Sequence, residues 1–297
     1  MGDRRPLDAV AVSWMVLLCL VWGVGHSAAK IAAEGISLVL QSGLRSLVAS
    51  VLLLGWARWQ GIALYERDGT LVPGLWAGLL FGAEFLFIFG GLAYTDAARM
   101  AVFVYLAPCL TALGLHALVP QERLGALQWT GVAIAFAGVA LAFADGFATA
   151  RETWFGDLCG VVAAALWAAT TVVIRASRLA RASATKTLFY QLVVSGPALV
   201  AASVLMGEPG ITALTPVVLA AFAYQCAVVA FASFLVWFWL LRRYFAARLS
   251  VFTFLTPLFG MAAGVVLLGE PLTPRFAAAA LLVGAGIFFV NLRTARR

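Results

Sequence analysis

The sequence predicts an all-α membrane protein of ten transmembrane helices arranged as two inverted five-helix repeats. Three observations carry this: an extreme apolar composition, ten regularly spaced apolar stretches, and landmarks that recur at a nearly constant offset. Apolar residues make up 64% of the 297 residues and charged residues 11%, against roughly half and a quarter in soluble domains. A crossing needs about 20 apolar residues. The length therefore accommodates about ten crossings with short loops and no separate soluble domain.

The apolar stretches run over 10–29, 36–57, 71–94, 98–118, 125–144, 156–175, 185–206, 215–241, 246–268 and 276–292, bounded by Gly, Pro and charged clusters. They lack the ten-residue alternation of barrel strands, so helix is the spanning structure that satisfies their backbone. Arg4 and Arg5 precede the first stretch, which is too long for a signal peptide and reads as an uncleaved spanning helix. The net charge of +7 comes from short basic clusters between stretches rather than one basic face, which points to topology and not to nucleic acid. With the N-terminus in the cytoplasm, 15 Lys and Arg residues fall inside and four outside, leaving Arg45 within a helix. The positive-inside rule then puts both termini in the cytoplasm. Cys19, Cys109, Cys159 and Cys226 all lie in apolar stretches without metal-ligand spacing and read as free thiols.

Ala97-Ala98-Arg99 and Pro108 recur as Ala246-Ala247-Arg248 and Pro257, 149 residues on. Glu122 and Gly138 recur as Glu270 and Gly286, and Trp22 and Lys30 as Trp167 and Arg175. The chain divides into repeats at 1–150 and 151–297. Each repeat holds five helices, an odd number, so the second enters the membrane from the opposite side. Inverted repeats of this kind are a design of secondary transporters, in which exchanging the conformations of two similar halves exposes one site to each side in turn.

These residues resemble the drug/metabolite transporter superfamily in its ten-helix EamA-type form, along essentially the whole chain. The matching pieces are Trp22-Gly23, Arg45, the run Tyr105-Leu106-Ala107-Pro108-Cys109-Leu110-Thr111 with Glu122, Trp167-Ala168-Ala169, and Pro257 with Gly269-Glu270-Pro271-Leu272. Ala83-Glu84 and the Tyr105 to Thr111 run are most similar to the YddG-type exporters of aromatic amino acids. The resemblance implies a cavity lined by helices 1, 3, 4, 6, 8 and 9, with 5 and 10 peripheral.

Several polar residues sit deep in the apolar stretches. Glu84 lies roughly 20 Å along its helix at 1.5 Å per residue; a carboxylate at that depth is a functional candidate. Trp22 and His26 share a face of the first helix, and Trp22 with Trp167 offers paired aromatic walls. Tyr105, Thr171, Tyr224 and Gln225 are further candidates for substrate hydrogen bonding, Thr171 being weaker because threonine often bonds the preceding turn. Arg45, whose counterpart at an offset of 146 is Gln191, reads as a structural anchor. Pro108 and Pro257 break internal hydrogen bonds at matched points and read as hinges. Glu122 and Glu270 read as loop anchors.

No phosphate-binding G-x-x-x-x-G-K-[ST] and no H-E-x-x-H occurs, so neither ATP-driven work nor zinc chemistry is expected, and no cofactor, metal or catalytic group is called. The expected protein is not an enzyme. It is a secondary active or facilitative exporter of small amphipathic metabolites, amino acids with aromatic or hydrophobic side chains foremost, in a bacterial-type inner membrane. Its partners are a small-molecule substrate and lipid, and a monomer suffices. A multidrug or cation exporter and an intramembrane lipid enzyme are the alternative readings.

Overall fold

The computed structural model describes residues 6–91, 94–95, 97–142, 144, 154–268 and 274–292. Helix occupies each predicted apolar stretch. In order these are α1 (Ala9–Ala33), α2 (Leu38–Trp59), α3 (Leu71–Gly91), α4 (Ala97–Val104), α5 (Ala107–Leu118), α6 (Ala126–Ala142), α7 (Trp154–Ala176) and α8 (Ala184–Leu205). Then come α9 (Pro216–Tyr224), a π-helical segment (Gln225–Ser233), α10 (Phe234–Arg243), α11 (Ala246–Phe252), α12 (Leu255–Leu268) and α13 (Pro274–Asn291). Among the described residues six helical spans are long and apolar enough to cross a membrane, and four further apolar stretches are shorter. Large apolar side chains such as Val51, Leu79, Val217, Leu281 and Phe288 face outward, an arrangement suited to lipid and costly in water.

Polar side chains at the loops fix where the helices begin. Asp8 accepts from the Ala11 amide at 2.9 Å and caps α1, while the Tyr244 hydroxyl donates to both Asp8 oxygens at 2.9 Å. The start of α1 is thereby tied to the end of α10. Ser183 caps α8, and Thr215 caps α9 with Pro216 in the first turn. The first turn of α2 is capped from a distance: Glu208, in the loop after α8, accepts from the amides of Val39 and Leu40 at 3.1 and 2.9 Å. A carboxylate there satisfies orphan amides and complements the helix dipole. At the other end of the bundle, the Lys186 ammonium reaches Asp68 at 2.8 Å and the Glu66 carbonyl at 3.2 Å, tying the α2–α3 loop to the first turn of α8.

Three stretches depart from uninterrupted helix. The fourth breaks at Tyr105–Leu106, so that Pro108 enters the first turn of α5. The ninth breaks at Thr253–Phe254 just before Pro257. In each case the proline has no amide for the preceding turn and its ring crowds that turn's carbonyl, so a break nearby is the low-cost solution. The third interruption, the nine-residue π-helical segment, contains neither proline nor glycine and was not expected from the sequence.

The principal contacts join the first half of the chain to the second: α6 packs on α13, α2 on α8, α3 on α7 and α8, α1 on α12 and α9, and α5 on α7. Close approach depends on missing side chains. A Cβ on Gly131 would lie 2.7 Å from the Gly286 carbonyl oxygen, and one on Gly286 2.5 Å from that of Gly131. At the α1–α12 crossing, a Cβ on Gly23 would lie 2.8 Å from the Gly260 amide. Lipid removes the hydrophobic drive between helices, so such van der Waals contact across small residues supplies much of the cohesion.

Candidate functional site

Several of the residues singled out by sequence, Trp22, Arg45, Glu84, Tyr224 and Gln225, lie where α1, α2, α3 and the π-helical segment meet. Gln225, at the start of that segment, donates through Nε2 to the Gly25 carbonyl of α1 and accepts from Arg45 Nη1 of α2 at 3.4 Å. Tyr224 donates to the Val21 carbonyl at 3.0 Å. At the segment's far end, Ser233 accepts from Trp22 Nε1 at 2.8 Å and donates to the Val229 carbonyl at 2.6 Å. A π-helix shifts the register of the side chains that follow it. Here it brings residues at both of its ends against α1, so Trp22, Tyr224 and Gln225 act together as one hydrogen-bonded seam.

An aromatic surface continues from that seam. Trp22 packs edge-on to Trp237 with ring centroids 5.7 Å apart and tilts against Phe234 at 6.1 Å. Phe81 then meets Phe234 at 5.7 Å and Phe85 at 5.0 Å, both edge-on. The Arg45 guanidinium lies over the Phe85 ring, 4.6 Å from its centroid. Sequence reasoning missed Phe81, Phe85 and Phe234. Their signal was present in part, since positions 81, 84 and 85 share one face of α3 and the chosen Glu84 marks that face.

Glu84 and Arg45 are both buried, at 6% and 7% exposure, on the neighbouring helices α3 and α2. They are within electrostatic reach of each other but form no ion pair. Arg45 Nε and Nη2 have no hydrogen-bond partner among the described residues. Helix 2 was placed outside the cavity-lining set, whereas Arg45 reaches from α2 to touch α3 and the π-helical segment.

Of the remaining predicted residues, Tyr105 shares the core cluster of Trp22 without joining the seam, and Trp167 and Thr171 lie beyond it. Tyr105 and Trp167 form their own pair, edge-on at 6.3 Å, between the α4–α5 break and α7. Trp167 packs with Met100, Val104, Cys159 and Ala163, apart from the cluster that holds Trp22. Thr171 donates to the Trp167 carbonyl one turn back at 3.3 Å. The backbone of His26 belongs to α1, and its side chain lies outside the described residues, as do Glu270 and its loop. An open groove of about 750 Å³ lies between the ends of α3, α5 and α7, lined by Val72, Trp76, Gln121, Arg178 and Arg181 among others. None of the residues around Arg45 lines it.

Glu122 proves to be an anchor of unusual reach. It pairs with Arg175 of α7, accepts from the Ala246 and Ala247 amides at 3.2 and 3.3 Å, and so caps α11 from the other half of the chain. Arg175 Nη1 also donates to the Leu241 carbonyl at 3.0 Å. Arg175 and Lys186, two of the 15 basic residues that fall on the cytoplasmic side by sequence, are buried in ion pairs.

The profile of the EamA-like transporter family matches this chain twice, over residues 9–144 and 154–292. A probable amino-acid metabolite efflux pump of Salmonella typhimurium LT2 is 27% identical over 293 residues, covering 95% of this chain and 96% of that protein. A probable amino-acid metabolite efflux pump of Escherichia coli K12 is 23% identical over 280 residues, 92% of each chain. A solved crystal structure at 22% identity superposes with a TM-score of 0.82, covering 96% of this chain and 99% of the other, a likeness that shows the fold. With its apolar helices and a family match along nearly all its length, the chain is an integral membrane protein that belongs to the EamA-like transporter family.

Proposed function

We propose that this protein exports small amphipathic metabolites, foremost amino acids with aromatic or hydrophobic side chains, by alternating access of two inverted five-helix halves that cross the membrane ten times. The observation that carries this reading is the aromatic surface of Trp22, Phe81, Phe85 and Phe234 beside two buried ionisable groups, Arg45 and Glu84, that form no ion pair with each other. A flat apolar side chain fits the rings and a charged head fits the polar groups.

Reciprocity between the halves supports the inverted repeat. At the stated offsets Gly138 corresponds to Gly286 and Gly131 to Ala279, and Gly138 faces the Ala279 carbonyl as Gly286 faces that of Gly131. The double family match, and relatives whose names are amino-acid metabolite efflux pumps, agree with it. In this reading Pro108 and Pro257 are hinges, because each stands at a helix break. Trp22, His26, Glu84, Tyr105, Trp167, Thr171, Tyr224 and Gln225 contribute to the substrate path. Both termini are cytoplasmic in a bacterial-type inner membrane, and one chain forms the whole path.

The test is flux of labelled phenylalanine and tryptophan in proteoliposomes. Uptake that saturates, and that unlabelled amino acids suppress, is the expected result. No flux of any amino acid, with flux of organic cations abolished by Glu84→Gln, would instead establish a cation exporter, a reading that Glu84 beside the Phe81 and Phe85 rings favours.

A further inference from the structure

We infer that Arg45 and Glu84 together grip the zwitterionic head of the substrate, Arg45 taking the carboxylate and Glu84 the ammonium, so that the site selects solutes carrying both charges on one carbon. This rests on the amino-acid reading above and assigns to Arg45, an apparent helix anchor, the recognition of substrate.

The argument starts from what Arg45 lacks. A guanidinium carries five N–H groups in a planar fork, and buried donors are almost always satisfied. Arg45 is 7% exposed, yet only Nη1 finds a partner, Gln225 Oε1 at a long 3.4 Å. Gln225 is itself fixed by its bond to the Gly25 carbonyl, so it holds the guanidinium in place without neutralising it. Phe85 covers one face of the plane. What remains is the edge bearing Nε and Nη2, both without a partner among the described residues. Those two nitrogens form the side-on fork that binds a carboxylate through two parallel hydrogen bonds.

Glu84 supplies the complementary half. It is 6% exposed, on the adjoining helix one residue before Phe85. It is close enough to interact electrostatically with Arg45 without pairing to it. A helix anchor made of these two residues would close into an ion pair, as Arg175 and Glu122 do elsewhere in the bundle. Held apart, they present a guanidinium and a carboxyl group to a third party. An α-amino acid fits because one tetrahedral carbon carries its carboxylate and ammonium and directs the side chain a third way, here towards Phe81, Phe234 and Trp22. An organic cation would leave Arg45 desolvated and unpaired, and a carboxylic acid without the amine would do the same to Glu84.

The experiment compares uptake of phenylalanine, phenethylamine and 3-phenylpropionate into proteoliposomes containing wild-type protein, Arg45→Lys, Arg45→Gln or Glu84→Gln. Wild type should favour phenylalanine over both truncated compounds by about tenfold to a hundredfold, the range an unpaired buried partner commands. Arg45→Gln should lose the preference over phenethylamine but keep that over 3-phenylpropionate, and Glu84→Gln should do the reverse. Arg45→Lys should recover part of the first preference, since a point charge replaces the fork. An Arg45→Gln protein that elutes as wild type and still prefers phenylalanine to phenethylamine overturns the assignment. Should the variants fail to fold, the wild type decides alone: phenylalanine and phenethylamine moving equally well would overturn the assignment while leaving the amino-acid reading intact. No amino-acid flux at all would overturn both.

Discussion

The bundle buries two arginine and glutamate sets, and they differ in every respect that matters. At one end, Arg175 and Glu122 are in direct contact, and they also bond the Leu241 carbonyl and the amides that open α11. In the middle, Arg45 and Glu84 stand apart, with two guanidinium nitrogens unused. Burial is similar in both, so depth does not distinguish them. The paired set joins α7, the end of α5 and the start of α11 across the two halves and acts as a lock. The unsaturated set bears a cost in the empty protein that a ligand relieves. The same two residue types therefore serve cohesion where they pair directly and, on the proposed reading, recognition where they do not.

The largest expected effect breaks the lock. Glu122→Gln or Arg175→Met leaves the partner charge buried and should destabilise the protein by about 3–5 kcal/mol, measured by thermal or denaturant unfolding in detergent. The same substitution in the middle of the bundle should act more weakly. Arg45→Met removes an incompletely bonded guanidinium and should cost less stability than either substitution in the lock, while amino-acid uptake falls to background. Equal destabilisation at the two arginines would erase the distinction drawn between them.

A smaller effect probes the seam that holds the middle set in place. Trp22→Phe keeps a ring against Phe234 and Trp237 but loses the hydrogen bond to Ser233, and should cost about 0.5–1.5 kcal/mol with weaker phenylalanine uptake. The smallest concerns the tie between the buried Lys186 and the exposed Asp68. The Lys186 hydrogen bond, followed by that from Thr70, holds the Asp68 carboxyl well below the usual carboxylate range. A depressed folded value means that the stabilisation is present above the ordinary value of about 4 and is lost as pH falls through the folded one. Protease cleavage within the α2–α3 loop should therefore quicken on acidification below about pH 4. Asp68→Asn should be cleaved at the acid-state rate already at neutral pH.

Much of the fold is visible in the sequence because the bilayer imposes a simple rule. Stretches of about 20 apolar residues separated by charged turns are helices, and the structure places helix over each of them. Proline marks two interruptions because a missing amide is a local property. The π-helical segment went unseen: Gln225 to Ser233 reads as ordinary apolar helix, and its register depends on the partners Gly25 and Trp22 supplied by α1. Pairing was equally hidden. Glu122 was recognisable as an anchor, but its partners lie 53 and 124 residues away.

The candidate site divides along the same line. By itself the sequence determined that Glu84, Arg45, Gln225 and Trp22 are polar or amphipathic groups in an apolar setting, since composition and depth suffice for that. Only the tertiary structure decided which of them meet, that Arg45 reaches Gln225 and Phe85, and that Trp22 and Trp167 lie in separate clusters. The physical reason is that burial cost is a property of one residue and its helix, whereas satisfaction of a hydrogen bond is a property of two, and the second is brought near only by the fold.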